Sequence, residues 1–505
     1  MNYKFGHGEK NLPKFFESED IGEIKEKKDY DLVIIGAGTP GIPAAIRAKE
    51  RGLSVCVVQK EKEASACGNI GAGIILDKSS KEDIEKVISQ EVEDNNYRSK
   101  RELYRHWAYN SGEAISWLID VAKKAGCRVQ DAKDAPHKAL NEKLGTNLHF
   151  VTSVFGPKPY SVTDAIKELA EYAESQGIDF YYNTRAIELV KEENKVVGVI
   201  GKNEDSFIQF NGKYGVIVGT GDYQNDDEML AYYLPDVVNF KKKKSGRTGD
   251  GQKMIVRAGG VMENIGHTKM CHDFDSGPSS MMSMPYLRVK KNGKRFTDET
   301  VPMEYMNCFL LSEEDQGEYM QIFDSDYISK GKGKMGGSPA EIEELKKFIK
   351  EEDVEDRTGA IESLIDTKKA NSLEELGEKL GITDIDTFVQ TVDNYNKMAD
   401  DGEDKEFGVP SSQMITVTKA PFYGIHRHIK LTLTCSGVNI DEKHRCLDED
   451  NKPIDGLYAV GNVAGNMYGA ADYPLGVVGL NLANNYTSGY TTANYIADLK
   501  EKTDN

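Results

Sequence analysis

The sequence predicts an α/β fold in which a parallel-sheet domain is assembled from both ends of the chain around an inserted α+β segment. Three observations predict it. An apolar run, Asp31-Leu-Val-Ile-Ile35, stops at Gly36 and is followed by small residues, the pattern of a buried parallel strand that feeds a helix. Strand character with a terminal glycine returns far downstream, at Leu457-Tyr-Ala-Val460-Gly461. Between these ends the composition changes: residues 265–335 are rich in Met, Tyr, Gly and Ser, and residues 339–400 are charged with a helical pattern.

Taken in order, residues 1–29 read as a polar extension. The strand 31–35, a helix over 40–51 and a second strand over 53–58 form a strand–turn–helix–strand unit. Residues 82–126 carry a helical pattern ending near Gly126, and 131–160 are rich in turn residues. A helix over 162–177 precedes a strand at 180–182. Hairpin-like runs at 186–200 and 207–210 then lead into Gly215-Val-Ile-Val-Gly-Thr220. Residues 401–410 form a polar connector, and 479–499 a closing helix. The domains expected are an extension at 1–29, a discontinuous nucleotide domain at 30–265 and 425–497, and a cap at 266–424.

Eighty-three acidic against 64 basic residues give a formal net charge of −19, which argues against nucleic acid as a main partner. The seven cysteines are dispersed, without C-x-x-C spacing. No metal centre is therefore expected from them, and a reducing cytoplasm is the expected compartment. The first thirty residues lack an apolar core and a cleavage site, and no run of 18 apolar residues occurs. Neither a signal peptide nor a membrane span is expected.

Gly36-Ala-Gly38-Thr39-Pro40-Gly41 matches G-x-G-x-x-G between a strand and a helix. The first Gly makes the tight turn, the second lets backbone approach a pyrophosphate, and the third lets helix pack on strand. The N–H groups at the helix start then face the phosphates. Pro40 and Pro43 fall where a missing N–H costs little. Gln59, followed by Lys60, ends the second strand, where a ribose-binding acid is usual.

Five further segments resemble the fumarate reductase/succinate dehydrogenase type of FAD-dependent flavoprotein. Cys67-Gly68-Asn69-Ile-Gly71-Ala-Gly73 is similar to its flavin-wrapping turn, and Gly219-Thr220-Gly221-Asp222 to its strand-end contact. Thr248-Gly-Asp250-Gly251, Gly456-Leu-Tyr-Ala-Val-Gly461-Asn462 and Gly479-Leu480-Asn481-Leu482 resemble three more of its signatures, in the expected order. The resemblance covers residues 30–497. It implies a split Rossmann-type domain and FAD, bound non-covalently because no His stands near residues 67–73. Asn462 departs from the family's usual Glu.

On the substrate side, Gly293-Lys-Arg-Phe-Thr-Asp-Glu299 resembles the family's cap motif. Where fumarate reductases then carry a proton-donating Arg stands Met303, and the nearest phenol is Tyr305. Thr432 and Leu433 replace a carboxylate-gripping His pair, and Tyr473-Pro474 a carboxylate-binding Arg. Without those cations a dicarboxylate loses its charge-assisted hydrogen bonds. The resemblance is to the 3-ketosteroid dehydrogenase branch. It implies that Tyr473 polarises a ketone, with Tyr305 as proton donor and Gly476, Leu433 and Met303 as further substrate contacts. The expected activity is reduction or formation of the C=C bond of a bulky enone such as a 3-ketosteroid. Electrons would come from a nicotinamide or a separate redox protein. An ene-reductase for an aryl or small unsaturated acid, and an electron-transfer flavoprotein subunit, stand as alternatives.

Overall fold

Strand Leu32–Ile35 is buried at every position, as a strand covered on both faces must be. It lies inside a ten-stranded sheet in the computed structural model, which describes residues 12–130, 135–204, 206–264 and 266–504. The centre of that sheet runs Pro453–Ala459, Val216–Val218, Leu32–Ile35, Val55–Val58, Asp179–Tyr181, all parallel. Ile24–Tyr30, within the polar extension, adds a parallel edge strand beside Ser206–Gly212. Its mostly exposed, lysine-rich surface suits an edge.

The chain divides into two compact units. One holds the described residues up to Pro235, with Lys244–Lys269 and Leu433 onward; the other holds Asp236–Lys243 and Met270–Thr432. In the first unit, helix Gly41–Glu50 buries Ile42, Ala44, Ala45, Ile46 and Ala48. The closing helix Leu480–Asp504 crosses close to its start: a side chain at Gly489 would stand 2.1 Å from the Pro40 carbonyl oxygen. Arg47 Nε reaches Asn494 at 2.8 Å and Arg51 reaches Asp498 at 2.8 Å, tying the two helices along their length.

The helical pattern over 82–126 resolves into two helices, Lys81–Asp94 and Arg101–Lys124. They part where Asn96 and Tyr97 take left-handed φ values of 56° and 57°, which no α-helix continues through. Of the stretch 131–160, residues 131–134 lie outside the described residues. Beyond them stand helix Ala135–Leu144 and strand Phe150–Val154, the latter paired antiparallel with Ile70–Ile74.

The second unit is built on an antiparallel sheet in the order Leu287–Val289, Glu318–Asp324, Phe422–His428, Thr367–Ala370. Helices Leu373–Leu380 and Ile385–Asp401 contribute Leu376, Phe388, Val392 and Tyr395 to a core with Leu287, Met320 and Ile322. Met281 and Met284 are buried in a second cluster with Tyr286, Phe323 and Tyr327. These two methionines belong to the core of this unit. Arg295 of the Gly293–Glu299 motif is buried between Glu299 (2.7 Å) and Asp404 (2.9 Å), so the motif supplies a buried ion-pair knot. Among the described residues no helix is long and apolar enough to cross a membrane.

Candidate active site

The glycine turns meet at one edge of the parallel sheet. Ile35 pairs with Val218 and Val58, and Val218 with Ala459, so the residues after each strand fall side by side. Gly36 donates its N–H to Val58 O at 2.8 Å, Gly219 to Ile35 O at 2.8 Å, and Val460 to Val218 O at 3.0 Å. Ligands of open α/β sheets bind at this carboxyl edge. Gly36 has φ +103° and faces Gly219 O, and a Cβ on Gly41 would lie 1.9 Å from Gly36 O. Both are steric requirements of the turn. Gly38 differs: a Cβ there would meet nothing nearer than Ser65 O at 3.5 Å. Its outer face is open, as backbone contact with a pyrophosphate demands. Asn485 Nδ2 donates to Thr39 Oγ1 at 3.3 Å, and Gly461 N to Ser488 Oγ at 3.1 Å, so the closing helix holds the turn.

Gln59 uses its carboxamide inside the protein: Oε1 accepts from Ala37 N at 3.4 Å, and Nε2 donates to Glu63 O at 3.0 Å. Lys60 Nζ bonds Thr248 Oγ1 at 2.8 Å and Asp250 Oδ2 at 2.9 Å. Two sequence-predicted cofactor residues, Lys60 and Asp250, therefore face each other. Gly251 makes room for Thr220, whose Oγ1 would be 2.2 Å from a Cβ at that position. Gln252 Nε2 donates to Gly221 O at 3.0 Å and to Asn462 O at 3.3 Å.

The second group lies around 67–73. Gly68 packs on Leu482, Gly71 lies beside Tyr486 and Ala483, and Gly73 against Ser111 O. Gly479 has φ +91° and accepts from Ala72 N at 3.2 Å. Asn69 is exposed, and Leu480 opens the closing helix.

Several buried polar atoms along these segments have no hydrogen-bond partner among the described residues: Thr220 Oγ1, Gln252 Oε1, Asn481 Oδ1, Asn485 Oδ1 and Tyr486 OH. Buried polar atoms are rarely left unsatisfied. A flavin nucleotide, rich in ring and hydroxyl donors, fits that set. The residues present fit FAD.

Of the substrate candidates in this unit, Tyr473 and Gly476 stand in the loop before the closing helix. Tyr473 is buried, donates its N–H to Lys269 O at 2.8 Å, and accepts at its hydroxyl from Asn481 N at 3.1 Å. Burial first, and then the nearby Glu91 carboxyl, push the phenol well above its ordinary range, so it stays protonated. Gly476 abuts Glu91: a Cβ there would lie 2.4 Å from Glu91 Oε1 and 3.2 Å from Asp94 Oδ2. Leu433 is buried at the start of the last segment of this unit. Met303 and Tyr305 belong to the second unit, on the short helix Met303–Met306, with Met303 buried and Tyr305 40% exposed.

Sequence reasoning missed Glu91. It is buried, and its Oε1 has no partner among the described residues. Burial, and next the Asp94 charge, push its carboxyl up to about 8. The signal was present: Ile84, Val87, Ile88 and Glu91 fall at i, i+3, i+4 and i+7 on the buried face of helix Lys81–Asp94. Arg247 was also missed. Its Nη1 bonds Asp222 Oδ2 at 2.7 Å and Cys67 Sγ at 3.3 Å, joining three of the predicted segments.

Residues 31–479 match the FAD binding domain family. A vinyl phenol reductase of Lactiplantibacillus plantarum is 26% identical, the alignment covering 94% of this chain and 98% of that one. An NADH:fumarate oxidoreductase of Klebsiella pneumoniae is 25% identical over 90% of this chain, which spans 47% of that relative. The open conformation of a flavocytochrome c3 fumarate reductase superposes with a TM-score of 0.71 at 22% identity, covering 94% of this chain and 79% of that one. The shared fold, the matched residues and the fit of the cradle agree: this chain belongs to the FAD binding domain family, as an FAD-dependent enzyme of the fumarate reductase flavoprotein type.

Proposed function

We propose that the enzyme reduces a carbon–carbon double bond conjugated to a neutral oxygen, in a vinylphenol or an enone. The observation that carries this reading is the pairing of a protonated Tyr473 hydroxyl with an acidic neighbour. The hydroxyl accepts from Asn481 N–H, which leaves its own proton to donate to a substrate oxygen. Glu91, beside Gly476, is a buried carboxyl that keeps its proton up to about pH 8, not the cation that a dicarboxylate reductase sets against a substrate carboxylate.

FAD, when bound, supplies or accepts hydride. The chain's own residues do the rest. Tyr473 holds the substrate oxygen and, in an enone, stabilises the negative charge that hydride addition puts on it. Gly476 lets the loop pack directly on the Glu91 carboxyl. Tyr305 is the proposed proton donor to the other alkene carbon. Hydride and proton together give the saturated product.

Between the two oxygen types, similarity along nearly the full length of a vinyl phenol reductase favours the phenol. The 3-ketosteroid expected from the sequence is the bulkier member of the same neutral class. We further propose that electrons reach the flavin from a nicotinamide or a separate redox protein.

The test is anaerobic. The chemically reduced holoenzyme is mixed with 4-vinylphenol, a 3-ketosteroid enone, cinnamate or fumarate, and flavin reoxidation is followed. Fast reoxidation by the neutral compounds is expected, with the vinylphenol fastest. Preference for either acid would overturn the reading, and silence with all four would favour an electron-transfer role.

A further inference from the structure

We propose that the second unit carries a divalent metal site, formed by His426, His428 and Glu318 with Asp366 behind the histidines, and suited to zinc. The sheet builds it. His426 and His428 lie two apart on strand Phe422–His428 and so project from one face, while Arg427 between them is buried with Gln321 and the Pro278 carbonyl. Glu318 is the cross-strand partner of His428, on one side of that strand. On the other side Thr367 pairs with Ile425, and the preceding Asp366 accepts from His426 N at 2.9 Å. Three adjacent strands thus bring four metal-competent side chains to one spot, each held by regular pairing.

The nitrogens divide by role. His426 Nε2 lies 3.2 Å from Glu318 Oε2, and His428 Nδ1 lies 3.4 Å from Glu318 Oε1. One ligand atom from each of these three residues lies within 4.8 Å of the others. Tetrahedral zinc with bonds of about 2.0–2.2 Å spaces its ligand atoms by roughly 3.4 Å. The remaining nitrogens face the other carboxylate: His428 Nε2 lies 2.8 Å and His426 Nδ1 3.3 Å from Asp366 Oδ2. A carboxylate on the far nitrogen of a ligating imidazole is the usual outer support of such a site, fixing the tautomer and ring orientation. Two imidazoles and one carboxylate select zinc or a similar transition ion over calcium or magnesium. The competing charges are Lys241, paired with Glu318, and Lys368, 3.1 Å from Asp366. Lys241 is half exposed and free to swing into solvent on metal entry.

The alternative is a metal-free ion-pair square with both histidines protonated, and the experiment separates the two. Chelator-treated, dialysed holoenzyme is titrated with zinc chloride against a chromophoric indicator, alongside His428→Gln and Asp366→Asn variants with flavin absorbance as the fold check. One tight equivalent is expected in the parent. The His428→Gln variant is expected to bind at least about 100-fold more weakly, and Asp366→Asn about 10–100-fold more weakly. Parent binding that is absent, or equal to that of His428→Gln, would overturn the site. Should the variants lose flavin, cobalt titration of the parent decides. A spectrum without thiolate charge transfer supports the nitrogen–oxygen ligand set, and a thiolate band places the metal on cysteine and overturns it.

Discussion

The backbone N–H of Asn481 donates to the hydroxyl of Tyr473 at 3.1 Å. This bond ties the first turn of the closing helix to the loop that carries the candidate substrate residues. A hydroxyl that accepts from the backbone keeps its own proton to donate. Tyr473→Phe removes that donor and little volume. Turnover with a vinylphenol or enone is expected to fall roughly 10²–10³-fold, as for loss of one oxyanion-type donor, with FAD content unchanged. Steady-state kinetics with flavin quantitation check it.

Glu91 sets a pH dependence of stability. Its folded value is raised to about 8 from a reference of 4.5, so between those values the folded state holds a proton that the unfolded state has released. Its penalty is absent below pH 4.5, grows as pH rises, and is complete above about 8. The neutral isostere Glu91→Gln escapes it. Relative to the parent, the variant is expected to gain on the order of 4 kcal/mol at pH 8.5 and almost nothing at pH 4.5. Urea unfolding at the two pH values measures the difference.

Two glycines of one turn should fail differently. Gly41→Ala places a methyl 1.9 Å from Gly36 O and is expected to disrupt the turn and leave little folded protein. Gly38→Ala meets only ordinary contacts within the chain. It is expected to fold normally and lose FAD affinity by about tenfold or more, near 1.4 kcal/mol. Flavin titration of the refolded apoproteins, with circular dichroism, distinguishes the two.

Arg295 is buried between the carboxylates of Glu299 and Asp404, both fully buried. Arg295→Met leaves two uncompensated charges in the second unit. A loss of about 3–5 kcal/mol is expected in denaturant unfolding.

The first unit was legible where the signal is local. Gly36, Gly38 and Gly41 read as a turn because three positions in six carry its geometry. Gly249, with φ +69°, caps helix Asp250–Arg257, which the sequence reading did not place. What escaped depends on partners far away in sequence. Arg247 acquires a role only once Asp222 and Cys67 fold around it. Lys60 is satisfied by Asp250, from another segment. Ile24–Tyr30 read as extension because an edge strand need bury only one weak stripe, and its lysines masked the alternation. The histidines at 426 and 428 carry no spacing signal of their own, since their acidic neighbours come from two other strands.

The crossing of Gly489 over Pro40 bears on the order of events during folding. The glycine turn and the helix that clamps it stand far apart in sequence. Until that helix docks, the chain carries half a cradle, with apolar strands uncovered and little to close around a nucleotide. Contacts of such long sequence separation form slowly. Tight capture of the cofactor is therefore expected to come late in folding, once the two distant segments have met.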